Sequence, residues 1–163
     1  MEERDLKYII TAHSELAKEP KKRVRYWDQK TPYYVHPIWC SSTLLQETSL
    51  PDDIRLDGSS ALLYHDVLED TNAKLPYWLS DNVKGLISKL TFESSEDAWK
   101  AIWKEDKVIR LLKLYDAVSN LMDSVWMKPK KKKNHIENIK RLFKDVESNY
   151  GELNIVKIAK GLV

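Results

Sequence analysis

The stretch LLYHDVLEDT, residues 62–71, sets an apolar run against a dense polar cluster. Leu62, Leu63, Tyr64, Val67 and Leu68 read as core, while His65, Asp66, Glu69 and Asp70 are ionisable. On a helix, His65 and Glu69 are i and i+4, as are Asp66 and Asp70, so each pair would stack on one face. His65 and Asp66 would project about 100° apart, within reach of one ion at the helix surface. Ionised groups on a half-buried helix are costly unless something compensates them, and a divalent cation would compensate several at once.

Helical periodicity continues outward from this segment. ERDLKYIITAHSELAK places Leu6, Ile9, Ile10, His13 and Leu16 at i, i+3, i+4 spacing. Pro20 and Pro32 bracket a basic, aromatic loop, and a second helix is expected from near Tyr33 to about Glu47. SLPDDIRLDGSS reads as a connector in which Asp57 or Ser59 caps a helix over residues 60–71. Further helices are expected in YWLSDNVKGLISKLT and in the long stretch from Ala98 to Trp126, with a break near Glu105–Asp106. Pro129 and the lysine run end that stretch. NHIENIKRLFKDVESNY follows as a helix stopped by Gly151, and a short C-terminal helix closes the chain. No alternating β-pattern and no internal repeat stand out. The expected fold is all-α, a single-domain bundle of about seven helices over residues 1–163.

Composition narrows the function classes. With 42% hydrophobic and 32% charged residues the chain is globular rather than disordered. None of its four glycines falls in GxGxxG or GxxxxGK[ST], which excludes those phosphate-binding devices. A net charge of +2 gives no reason to expect nucleic-acid binding, although residues 127–144 carry eight Lys/Arg against one Glu. Cys40 is alone, so no intramolecular disulfide forms; a reducing, cytoplasmic setting is expected. The opening MEERDLKYIITAH is charged at once and lacks a signal-peptide core, and no window is apolar enough to span a membrane.

A metal held by His65 and Asp66 needs ligands from elsewhere. His36 sits in TPYYVHPIW, near the start of the preceding helix. Asp116 is an isolated carboxylate among Leu114, Tyr115, Ala117 and Val118 on a buried-looking helix. Asn120 one turn later, with Lys113 and Arg110 before it, forms a polar stripe there. Two imidazoles and two carboxylates suit a first-row divalent ion while leaving positions for water and phosphate.

His36, the HD dipeptide at 65–66 and Asp116 together resemble the H…HD…D pattern of the HD-domain phosphohydrolases. TPYYVHPI, ALLYHDVLEDT and LKLYDAVSNL are similar to the TPYxxHP, ALLHDxxEDT and KLADRLxNL segments of RelA/SpoT-type alarmone hydrolases, in order and at compatible spacing over residues 8–125. The chain resembles the small stand-alone hydrolases of the metazoan SpoT-homologue type. The resemblance implies a compact HD-type helical bundle with one divalent ion, manganese first and Fe2+, Co2+, Zn2+ or Mg2+ as alternatives. It implies His36, His65, Asp66 and Asp116 as ligands, Glu69 and Asp70 as the pair that orients and activates water, and Asn120 near the nucleotide. The implied reaction removes pyrophosphate from the ribose 3′ position of (p)ppGpp, with a small nucleotide as substrate and neither membrane nor nucleic acid as an expected partner. Arg25, Trp27, Lys113, Arg110, Lys132 and Lys133 are the further candidates for substrate contact.

The departures fall at recognition positions. RYWD, residues 25–28, keeps Arg25 and Asp28 but has Tyr26 and Trp27 where the family has basic residues, and YDAVSN lacks the arginine and histidine of ADRLHN. Two other readings therefore stay open: hydrolysis of another nucleotide (a deoxynucleoside triphosphate, or a 2′/3′-phosphorylated dinucleotide such as NADPH), and a non-catalytic nucleotide or metal sensor. His13 and Cys40 are expected as core residues and His135 as an exposed one. No aromatic residues interleave with Lys130–Lys133, which argues against nucleic acid as their partner.

Overall fold

The computed structural model describes every residue except Glu93, and for Ser95 the backbone alone. The helices are α1 (Glu3–Glu15), α2 (Val35–Leu45), α3 (Asp52–Tyr64), α4 (Val67–Asp70), α5 (Asp81–Leu90), α6 (Ser95–Ala101), α7 (Lys107–Met122), α8 (Pro129–Tyr150) and α9 (Asn154–Leu162). Three 3-10 turns lie at Pro20–Arg23, Ile102–Lys104 and Ser124–Trp126. Among the described residues, β-type pairing is limited to the isolated bridges Ala17–Thr71 and Val24–Pro32. The fold is all-α, as the periodicity predicts.

The bundle is organised around α7, which packs against α2, α3, α5, α8 and α9. Its sequence explains this position, because Ile109, Leu111, Leu112, Leu114, Tyr115, Ala117, Val118 and Leu121 are all buried and surround the helix axis. Asp106 starts the helix by accepting the N–H groups of Val108 and Ile109, so the break expected at Glu105–Asp106 is a capping site. Against α7 lies the α2–α3 hairpin. At Gly58 the three helices come so close that a Cβ would sit 2.9 Å from both Leu44 Cδ2 and Leu112 Cδ2.

That contact corrects the reading of SLPDDIRLDGSS as a connector. Asp52–Tyr64 is helical, Pro51 occupies the N-cap position, and Asp52 and Asp53 face the positive end of the helix dipole. Gly58 and Ser59 are small because neighbouring helices approach there, and neither Asp57 nor Ser59 is a cap. The lysine run is likewise helical rather than a terminator. Pro129 opens α8 at its first position, where its missing N–H costs nothing and its fixed φ is already helical. At the other end Gly151 adopts φ 79°, open to glycine at little cost.

The helix expected over 60–71 is also interrupted. α3 stops at Tyr64, Asp66 takes φ −87°, ψ −5°, and a single turn, α4, follows before Thr71 becomes extended. The local cause is His65, whose Nδ1 lies 2.7 Å from the Leu62 carbonyl oxygen. That carbonyl is the one an unbroken helix would offer to the Asp66 N–H. Lys18 Nζ then caps the short turn, donating to the carbonyls of Leu68 and Glu69 at 2.8 and 2.9 Å.

Glu47 anchors the C-terminal helix. Its buried carboxylate accepts from Tyr115 Oη at 3.0 Å, from Asn154 N–H at 3.0 Å and from Ile155 N–H at 2.9 Å, joining the end of α2 to α7 and to the start of α9. Glu47→Ala leaves these donors without an acceptor and is expected to cost about 2–4 kcal/mol. Thermal denaturation should then show a melting temperature lower by roughly 5–15 °C. An unchanged melting curve would remove Glu47 from the bonds that hold α9.

Candidate metal centre

Three elements meet at the site. His36 lies in the first turn of α2, His65 and Asp66 at the α3–α4 break, and Asp116 in the middle of α7. His36 Nε2 is 3.3 Å from His65 Nε2. Asp116 Oδ1 approaches these nitrogens at 3.3 and 3.6 Å. Asp66 contacts both as well, through Oδ2 to His36 at 3.3 Å and Oδ1 to His65 at 3.1 Å. Donor atoms of His36, His65 and Asp116 lie within 4.8 Å of one another, a group that could hold a metal ion. Asp66 stands outside that mutually close set while touching both rings.

The donor chemistry fits a cation. The Leu62 carbonyl requires a proton on His65 Nδ1, and Ser119 Oγ, 2.7 Å from His36 Nδ1, can accept one there. Neutral rings in these tautomers direct two Nε2 lone pairs at each other, an arrangement that needs positive charge between them. Separations of 3.1–3.6 Å match adjacent ligands about an ion with bonds of about 2.1 Å. In the metal-free protein protons serve instead. Burial opposes charging the rings, yet Asp66 and Asp116 outweigh it and raise His65 to about 9; Cys40, Asp116 and Asp66 raise His36. Burial alone would raise the two carboxyls, but Lys113 and the histidines hold Asp116, and the histidines hold Asp66, below the usual carboxylate range.

Glu69 and Asp70 sit on α4 beside this cage. Glu69 Oε1 accepts the Phe92 N–H at 2.7 Å, and burial with the nearby Asp66 pushes its pKa up to about 7. Asp70 pairs with Lys22 Nζ at 2.5 Å. Lys113 Nζ is 2.6 Å from Asp116 Oδ2, and Asn120 donates to Asp116 Oδ1 at 2.6 Å. Arg25 is buried, held by Asp123 Oδ2 at 2.9 Å and close to Asn120 Oδ1 at 3.4 Å. Asp28 accepts from the N–H groups of Lys30 and Thr31 and shapes the 24–32 loop.

Two clefts adjoin the cage. One, of about 240 Å³, is lined by Lys22, Arg25, Tyr33, Asp70, Asn120 and Trp126 among others. The other, of about 300 Å³, is more apolar and is walled by Trp27, Val35, Trp39 and Met122. Arg25 and Asp123 border both. Trp27 is 54% exposed at the rim.

Not every candidate arrives here. Arg110 donates to Asp145 at 2.7 Å and to the Glu105 carbonyl at 2.6 Å, bracing α7 against α8. Six residues before Asp116 it lies about 120° round the helix, whereas Lys113, three before, shares the Asp116 face. Lys132 and Lys133 stand on the first turns of α8 and line neither cleft. His135, expected at the surface, is half-buried, with Nε2 3.0 Å from the Ala117 carbonyl oxygen. His13 and Cys40 are in the core. Lys22, Tyr33, Ser119 and Asp123 belong to the site without having been singled out. The Tyr of TPY and the Ser preceding Asn120 lie within the motifs; for Lys22 and Asp123 no sequence signal existed.

No protein-family model matches the chain, and no relative is found among curated proteins. Among solved structures the likeness is one of fold: the chain has a helical fold like that of a SpoT orthologue. The chain is similar to a metazoan orthologue of SpoT that hydrolyzes ppGpp and plays a role in starvation responses, with a TM-score of 0.73 and 22% identity. The likeness covers 98% of this chain and 91% of that one. No helix among the described residues is long and apolar enough to cross a membrane.

The raised His65 pKa fixes a pH dependence. Its stabilising contribution in the metal-free protein is fully present below pH 6.5 and lost as pH rises through about 9. Thermal melts in EDTA are expected to fall across that window. Metal uptake must displace these protons, so Mn2+ affinity should climb over the same range, with proton release seen by calorimetry in buffers of different ionisation enthalpy. Affinity that is flat with pH would place the ion elsewhere.

Proposed function

We propose that this chain is a metal-dependent nucleotide phosphohydrolase that removes pyrophosphate from the 3′ position of (p)ppGpp-type alarmones. The observation that carries the reading is the buried His36–His65–Asp116 donor group, with Asp66 against it and the Glu69–Asp70 turn beside it. The SpoT-like fold supports it, because the similar structure is that of a protein that hydrolyzes ppGpp.

His36, His65, Asp66 and Asp116 would hold one divalent ion, for which we propose Mn2+. When bound, such an ion makes water easier to ionise and offsets negative charge on phosphoryl oxygens. Glu69, with a pKa of about 7, is poised to take the proton of the attacking water. One of its oxygens is fixed by the Phe92 N–H, which leaves the other for that proton. The water oxygen bonds to phosphorus and the bond to the 3′ oxygen breaks; that oxygen takes up a proton to become the ribose hydroxyl, and the attacked group is released as pyrophosphate. Lys22 ties Asp70 and places positive charge in the cleft, where it meets phosphate. Asn120 braces Asp116 and Lys113 neutralises it, so both serve the substrate through that carboxylate. Trp27 offers its exposed ring to a base at the rim of the second cleft.

A second reading has its own observation. Tyr26 and Trp27 stand in the 25–28 loop where the family that the sequence resembles has basic residues. That altered recognition loop favours a nucleotide other than ppGpp, such as a deoxynucleoside triphosphate or NADPH, on the same machinery. We place the activity in the cytoplasm, on a small nucleotide and not on nucleic acid.

Purified protein with Mn2+ is to be incubated with ppGpp, ppApp, deoxynucleoside triphosphates and NADPH, and the released phosphate species identified. Pyrophosphate from ppGpp is expected. Triphosphate or monophosphate from another substrate would replace it with the second reading, and metal binding without turnover would leave a sensor. Glu69→Ala should lower turnover by about 10²–10⁴-fold while Mn2+ still binds, whereas Asp66→Ala should weaken both. The wild-type rate should rise with pH and level off at or below about pH 7, because a bound cation draws the Glu69 pKa down.

A further inference from the structure

Asp66 lies at the break between α3 and α4, with its carbonyl held by the Asp70 N–H at 2.8 Å and its carboxylate in contact with both imidazoles. Tyr33 is in place to aim that carboxylate. Tyr33 Oη donates to Asp66 Oδ2 at 2.7 Å, and Oδ1 turns toward His65 Nε2 at 3.1 Å. The phenol itself is held on several sides. The His13 ring lies 5.1 Å away at 32°, the His36 ring 5.7 Å away at 59°, and the Arg25 guanidinium 5.5 Å above the ring. The backbone adds a further restraint, because Tyr33 N–H donates to the Arg23 carbonyl and the Tyr33 carbonyl accepts from His36 N–H, both at 2.9 Å.

His13 is the unusual member. It is fully buried, and neither ring nitrogen has a hydrogen-bond partner. Burial pushes its pKa down to about 4, so at neutral pH it adds no charge beside the cage. Its contribution to Tyr33 is the shape of a flat ring.

Resting on the metal-site reading above, we propose that Tyr33, packed against His13 and His36, is a positioning residue that aims Asp66 so that its carboxylate completes the donor set. Tyr33 does not ligate the ion in this role, and metal affinity measured without substrate reads the role apart from any contact made in the cleft that Tyr33 lines. Removing its hydroxyl leaves Asp66 free to turn, and the loss appears in metal affinity before any turnover is measured.

The test is a Co2+ titration of the wild type, Tyr33→Phe, His13→Phe and His13→Ala, followed by calorimetry and by the visible absorption of the bound ion, with circular dichroism verifying each fold. Tyr33→Phe is expected to bind Co2+ about 10–100-fold more weakly, with a shifted absorption band that a purely structural role would not produce. His13→Phe keeps the flat ring and should stay within about twofold of wild type, while His13→Ala, which loosens that packing, should lose affinity by roughly severalfold. Tyr33→Phe with wild-type affinity and spectrum overturns the positioning role. His13→Ala indistinguishable from wild type, or His13→Phe as weak as Tyr33→Phe, overturns the part given to His13. A wild type that takes up no Co2+ overturns the metal-site reading itself, and the positioning role with it.

Discussion

Two imidazole nitrogens 3.3 Å apart, with a carboxylate of Asp66 on one contact and of Asp116 on another, are the constraint around which this molecule is arranged. Four ionisable groups in a low-dielectric interior stand together only if positive charge is shared among them. The four donors must also be delivered by three different segments. α2 brings His36, the α3–α4 break brings His65 and Asp66, and α7 brings Asp116. The close α2–α3–α7 packing at Gly58 sets how near those segments come.

The same constraint explains features that look unrelated. α3 ends where His65 takes the Leu62 carbonyl for its own Nδ1, so the bond that orients the ring also breaks the helix. That break separates Asp66 from α3 and puts Glu69 and Asp70 on a separate turn, where Lys18, Lys22 and Phe92 fix them. Lys113 and Asn120 spend their polar groups on Asp116, which keeps that carboxylate ionised in an otherwise apolar helix. The clefts open beside this inner set, with His36 lining one of them, and Arg25 and Asp123 border both.

Much of this was legible in the residues. Apolar spacing in α1, α2, α7 and α8 announced a helical fold, and a carboxylate at Asp116 amid leucines announced a buried ionic site. His36, His65 and Asp116 could be grouped before any coordinates because their motifs lie in a recognisable order. Other features resisted reading. Arg110 and Lys113 belong to one polar stripe in the sequence, yet only Lys113 faces Asp116, and Arg110 meets Asp145 on α8. Asp52–Tyr64 resembled a connector because glycine and serine signal loops locally, whereas here they are small to let Leu44 and Leu112 approach. Lys22 comes to Asp70 across 48 positions, a partnership that no local pattern encodes.

By itself the sequence determined the helical class and the chemical kind of the site, because periodicity and residue type are local properties of the chain. Tertiary structure alone decided what the Nδ1 atoms of His36 and His65 contact, which carboxylate oxygens face the rings and which basic residues reach the clefts. Those outcomes depend on contacts between residues far apart in the chain, such as Tyr33 with Asp66 and Arg25 with Asp123, and distances of that kind exist only once the helices have packed.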